Sequence, residues 1–236
     1  MKKTAETRSV AAEPAETPAT APPKPRGRPL SFDRDAALER AMHVFWEHGY
    51  EAASISDLTS AMGISPPSLY SAFGDKERLF LEAIERYNQG PGGFGQRALT
   101  EEPTARGAIQ RLLEDAAAEL TRACHPLGCM MVMAATNCSV AAEHVQTALA
   151  KRRALGIASI ESRIRRGVDD GELPPGADAS ALANFYATVY QGMSMQAKDG
   201  ATYDSLMATA ASAMRAWPVE VRTRVSTAKR AGRDDG

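Results

Sequence analysis

The stretch SISDLTSAMGISPPSLYSAFG, Ser54 to Gly74, decides the fold. Ser54 is placed to cap a short helix carrying Ile55, Leu58 and Met62, which ends at Gly63. Ser65 is placed to cap a second helix, with Pro66 at its first position, where a missing N–H costs nothing. That helix carries Leu69 and Phe73 and stops at Gly74. Two short helices joined by Gly63-Ile64-Ser65 have the spacing of a helix–turn–helix. Ile55, Leu58, Leu69 and Phe73 are its apolar side. Pro66, Pro67, Ser68, Tyr70 and Ser71 are left on the outer side or leading end of the second helix. Small and hydroxylic residues there allow close entry into a major groove, and free N–H groups at helix starts suit phosphates.

Working outward, the periodicity stays helical. A stripe from Asp33 runs through Leu38, Ala41, Met42, Phe45 and Trp46, with Gly49 as its stop. Asp75 caps a helix with Leu79, Phe80, Ala83, Ile84 and Tyr87, broken at Gln89 to Gly93. Ile109, Leu112, Leu113, Ala116, Ala117 and Leu120 mark another. After Pro126 and Gly128 comes an apolar segment, Cys129 to Ala135, then a long helix from about Val140 to Val168 with a basic middle (Lys151, Arg152, Arg153). Two more stripes follow, one from Leu182 to Met193 and one from Leu206 to Trp217. No alternating strand pattern occurs, so the expected fold is all-α. Residues 1–25, rich in Ala, Pro, Thr and Glu, read as a disordered tail, and 218–236 as a charged, frayed tail.

Taken together, Ala41 to Tyr50, Ser54 to Leu58, Met62 to Tyr70 and Phe73 to Phe80 closely resemble the DNA-binding domain of TetR-family repressors, over about residues 26–88. The resemblance implies a homodimeric transcriptional regulator, usually a repressor released by a small-molecule effector, on a near-palindromic double-stranded DNA operator. It implies a DNA-binding domain over 26–90 and a helical ligand-binding and dimerisation domain over 91–217. By the same resemblance, Ser54, Tyr70 and Lys76 are phosphate contacts, and Ser65, Pro66, Pro67, Ser68 and Ser71 face bases. Arg26 and Arg28 match a basic arm before the first helix.

Charge is distributed unusually for such a role. The 236 residues hold 28 Lys+Arg against 29 Asp+Glu, a formal net charge of −1, so no overall basicity points to nucleic acid. Residues 24–90 hold eight basic side chains and ten acidic ones, and within Ser54–Gly74 only Asp57 is charged. DNA is therefore expected to be held by hydroxyls, backbone N–H groups and the arm, with a shallow salt dependence.

Phe94, Leu113, Cys129, Met130, Met133, Thr136 and Asn137 are the candidate ligand-pocket residues, methionines suiting irregular apolar ligands. Phe185, Val189, Met193, Ala210, Met214 and Trp217 are candidates for a four-helix dimer interface. Cys124, Cys129 and Cys138 are an odd set in a long chain, which fits a cytoplasmic setting. They also open an alternative, a repressor sensing electrophiles, oxidants or soft metals through Cys129. Their C-x4-C-x8-C spacing is no standard zinc pattern, and His43 and His48 share no helix face well, so no metal or cofactor is expected. No phosphate-cradling loop or nucleophile–base pair speaks for an enzyme. No run approaches the ~18 apolar residues of a membrane span, and no secretory signal is read.

Overall fold

The Asp33 side chain accepts hydrogen bonds from the N–H groups of Asp35 (3.0 Å) and Ala36 (3.1 Å) and so begins α1 (Arg34–Ala52). The computed structural model describes residues 32–136 and 138–218. The expected tails at 1–25 and, past Pro218, 219–236, the arm residues Arg26 and Arg28, and Asn137 lie outside the described residues. Gly49 takes φ 78° and breaks the helical path, but the chain resumes one more turn to Ala52 rather than stopping.

α2 (Ile55–Met62) opens with a capping box: Asp57 N–H donates to Ser54 Oγ at 3.1 Å, and Ser54 N–H donates to Asp57 Oδ2 at 3.0 Å. Such caps contribute about 0.5–2 kcal/mol. Gly63, at φ 70° in the left-handed region, turns the chain, and α3 (Pro66–Phe73) starts from Ser65. A side chain at Gly63 would meet no neighbour, so the left-handed φ alone favours glycine there. Asp75 caps α4 (Lys76–Gln89). The faces that pack these four helices are α1's Ala37, Leu38, Ala41, Met42, Phe45 and Trp46, with Leu58, Leu69, Phe73 and Phe80 against them.

The rest is a helical body. α5 (Phe94–Glu101), which no periodic stripe announces, packs on α6 (Ala105–Leu120). α6 is the central element, touching α8 (Glu143–Asp169), α9 (Ala179–Lys198) and α10 (Tyr203–Met214) as well. One turn of helix, α7 (Met130–Met133), wedges between this body and α1 and α4. The long α8 begins at Glu143, after a 3-10 turn over Val140–Ala142. Among the described residues there is no strand, and the fold is all-α. Head and body share one continuous buried core from Ala37 to Trp217.

Candidate nucleic-acid interface and interior cavity

Leu69 and Phe73 are buried beneath α3 while Pro66, Pro67, Tyr70 and Ser71 are exposed, Tyr70 by half its surface. The predicted outer face is thus clear of packing. Its hydroxyls are unequally free. Ser54 Oγ donates to Asp57 Oδ2 at 2.6 Å, and Ser65 Oγ lies 2.9 Å from Ser68 Oγ, so all three serines serve the caps. These hydrogen bonds, the side-chain one first, hold the Asp57 carboxyl below its usual value. Lys76 Nζ donates to the Glu51 carbonyl at 3.3 Å and sits 4.6 Å from the centre of the Tyr50 ring. Burial lowers its pKa, and the Glu51 charge opposes that shift.

The other cations of the head are mostly engaged. Arg34 pairs with Glu82 at 2.7 Å and donates to the Ala72 carbonyl, with its guanidinium over the Phe73 ring. Arg40 donates to the last carbonyl of α2, at Met62, and Arg86 pairs with Glu39 at 2.8 Å. Arg78, which the sequence pattern did not single out, is 75% exposed on the first turn of α4. Among the described residues of the head, few cations are left unengaged.

Head and body meet through Trp46. Its Nε1–H donates to the buried Gly128 carbonyl at 3.0 Å, its ring stacks on His125 at 4.3 Å, and its edge meets Tyr87 at 4.8 Å. Tyr87, on α4, donates its hydroxyl to Cys129 Sγ at 3.3 Å. Burial, then the sulfur, pushes the Tyr87 hydroxyl well above its usual pKa. Cys129 N–H donates to Ser194 Oγ of α9 at 2.9 Å, and Tyr50 N–H donates to the Ala134 carbonyl at 2.7 Å. Gly128 has φ 80°, and a Cβ there would lie 2.9 Å from the Ser194 carbonyl oxygen, so only glycine closes this turn without strain.

A cavity of about 440 Å³ lies beside this junction, within the ordinary range for small-molecule sites. It exists because α8 buries Val145 and Leu149 at one end and Ile160 and Ile164 at the other, and nothing in the ten residues between. Phe94, Leu99, Leu112, Ile160 and Tyr190 form apolar wall, with Asn88, Gln96, Gln191, Arg152 and Arg153 as its polar part. Of the sequence candidates among the described residues, only Phe94 lines it. Leu113 and Met130 point into solid core, and Leu112 and Met131, one residue away on each helix, take their places. Cys129 is buried behind the wall, and Met133 and Thr136 lie off it, Thr136 in solvent. Tyr190 links wall and junction, since it lines the cavity on α9, whose Ser194 holds the Cys129 N–H. Burial, then Cys129, raises its pKa well above the usual tyrosine value.

This arrangement does not favour thiol sensing. Cys129 is 1% exposed and its sulfur accepts from Tyr87. The Cys138 thiol is pushed up by burial and then by Glu51, the wrong direction for a reactive thiolate. Cys124 is exposed, and among the described residues no group of three His, Cys, Asp or Glu is placed to hold a metal.

The dimer candidates also divide. Met193, Ala210, Met214 and Trp217 are buried within the protomer, where α10 packs on α6 and α9. Phe185 is 41% exposed and Val189 half-buried. Beside them, Leu155 of α8 is 67% exposed, among exposed Ala154, Ala158, Thr188 and Gly192. An uncharged open surface therefore lies on α8 and α9.

A helix–turn–helix head that shares a core with an all-α, cavity-bearing body is the build of a DNA-binding regulator. Comparison with known proteins specifies which. Residues 37–83 match the bacterial regulatory proteins of the tetR family, and 103–199 match the tetracyclin repressor-like C-terminal domain. The HTH-type transcriptional repressor ComR of Escherichia coli (strain K12) is 36% identical over 200 residues, 84% of this chain and 95% of that protein. The repressor BdcR of the same strain is 27% identical over 187 residues, 79% and 90% of the two chains. A cysteine mutant of the TetR-family transcriptional regulator CifR, complexed with 26-bp double-strand operator DNA, superposes with a TM-score of 0.79. It is 46% identical, covering 81% of this chain and all of the other. The chain belongs to the tetR family of bacterial regulatory proteins and is a helix–turn–helix transcriptional regulator. No helix among the described residues is long and apolar enough to cross a membrane.

Proposed function

We propose that this chain is a cytoplasmic, non-enzymatic repressor whose hold on a near-palindromic operator is relieved by a small molecule bound in the 440 Å³ cavity. The observation that carries the reading is the junction: Tyr190 of α9 lines the cavity, and α9 is tied to α4 through Ser194, Cys129 and Tyr87. The head, 26–90, reads DNA with α3. Pro66, Pro67 and Ser71 meet base edges, Tyr70, Lys76 and Arg78 meet phosphates, and the capping serines Ser54, Ser65 and Ser68 fix the helix starts whose N–H groups point at the backbone. Arg26 and Arg28 supply a basic arm. The body, 91–217, binds effector and pairs two subunits along α8 and α9 through Leu155, Phe185 and Val189, giving two recognition helices for successive major grooves.

Effector bound against Tyr190 and α7 displaces the groups that hold α1 and α4, and so changes the spacing of the two heads. Linkage makes the effect reciprocal, operator weakening effector by the same factor. Footprinting tests the reading. The purified protein protects two half-sites, about one helical turn or more apart, in the DNA upstream of its own gene. Protection of no discrete site there or in a genomic fragment library contradicts it.

A further inference from the structure

The cavity's charge is one-sided. Among the described residues that line it none is acidic, while Arg152 and Arg153 of α8 both do. Arg153 has five N–H donors and gives one, from Nη1, to the Met131 carbonyl at 3.0 Å; no carboxylate pairs with it among the described residues. Arg152, half-buried, reaches the exposed carboxylate of Glu85 of α4 at 3.3 Å, a pair screened by solvent and therefore weak. Phe94, Leu99, Leu112 and Ile160, which share this lining, are each 5–7% exposed. A cavity lined by two cations, no acidic side chain among the described residues and an apolar wall fits an amphiphile carrying an oxyanion.

We propose that the cavity takes an amphiphile with an oxyanion head, carboxylate or phosphate, bound by Arg153 and Arg152, with its apolar part against Phe94, Leu99, Leu112 and Ile160. This rests on the cavity being the effector site. A planar guanidinium matches either oxyanion with two parallel hydrogen bonds. The head group also supplies a signal. It takes Arg152 from Glu85, releasing α4, and engages Arg153 where that residue holds Met131 of α7, three residues before the Ala134 carbonyl that binds Tyr50 of α1. Two of the links from α8 toward the head thus pass through the arginines that meet the anion; a third, His144 to Glu77 of α4 at 2.8 Å, lies outside the cavity lining.

Isothermal titration of the full chain with octanoate, octyl phosphate, octanamide and octan-1-ol tests this. One or both anions bind at least tenfold more tightly than the amide and alcohol, the factor expected for charge-assisted hydrogen bonds. The better anion identifies the head group. Arg153→Gln lowers anion affinity and so removes the preference, and Arg152→Gln reduces it. Glu85→Gln strengthens anion binding by freeing Arg152. Gly95→Leu weakens all four: a Cβ there meets only Leu112 Cδ1 at 3.9 Å, so the longer side chain grows into the tail space of a folded protein. Equal affinity for anions and neutral compounds, a preference that survives Arg152→Gln and Arg153→Gln together, or no binding by any compound overturns the head-group assignment. If Gly95→Leu still blocks the neutral compounds, the cavity reading stands without it. Binding unchanged in Gly95→Leu overturns both.

Discussion

Trp46→Phe tests the joint between head and body. The substitution leaves the Gly128 carbonyl, now paired at 3.0 Å, without a donor in a buried site, at a cost of about 1–3 kcal/mol. The lost ring atoms leave a gap of roughly 40 Å³, which at ~24 cal/mol per Å³ adds about 1 kcal/mol. Weaker stacking on His125 and Tyr87 adds a few tenths more. The sum is about 2–4 kcal/mol, a large share of the ~5–15 kcal/mol that holds a typical native state. Urea unfolding followed by circular dichroism at 222 nm reads it as a lower midpoint with an unchanged slope, since the surface exposed on unfolding is the same. A loss below ~1 kcal/mol means that Trp46 is not a structural tie. A changed slope means that head and body no longer unfold together, and contradicts their sharing one core.

Three further outcomes follow from other parts of the molecule. The Tyr186 hydroxyl is buried without a hydrogen-bond partner among the described residues, so Tyr186→Phe stabilises by about 1 kcal/mol, a rise of roughly 2–4 °C in Tm by calorimetry. Burial pushes that hydroxyl up to about 12. The folded state therefore keeps a proton that the unfolded chain releases near pH ~10; wild-type stability is full below that value and falls between there and pH 12, and Tyr186→Phe flattens the fall in alkaline denaturation. Operator affinity plotted against salt has a log–log slope per monomer well short of about −10, because Arg34, Arg40 and Arg86 are held within the head; a slope near −10 refutes this. Alkylation with iodoacetamide, read by mass spectrometry, labels Cys124 first and Cys129 last, in the order of their exposure.

The parts of this protein that depend on near neighbours in the chain were legible without a structure. Ser54, Ser65 and Asp75 cap the helices their spacing indicates, and Leu69 and Phe73 bury the side opposite Pro67 and Ser71. The cavity was not, because its wall is a tertiary product. One position along a helix is a rotation of ~100°, so Leu112 and Leu113, or Met131 and Met130, belong to different surfaces and no local signal separates them. The basic middle of α8 is visible in the sequence, but that Arg153 faces a void depends on α5 packing across from it. In the same way Met214 and Trp217 have the pattern of an interface, and the position of α10 against α6 turns them inward.

The central claim is that α3 reads base sequence and α4 holds the backbone. Selection from a random double-stranded DNA library, run with wild type, Pro67→Ala, Ser71→Ala and Lys76→Ala, measures both parts at once. The account predicts an enriched inverted repeat for wild type, an altered preference within each half-site for Pro67→Ala or Ser71→Ala, and the same repeat bound uniformly more weakly by Lys76→Ala. An enriched site without two-fold symmetry, or a preference that Lys76→Ala alters and the α3 variants leave intact, contradicts it.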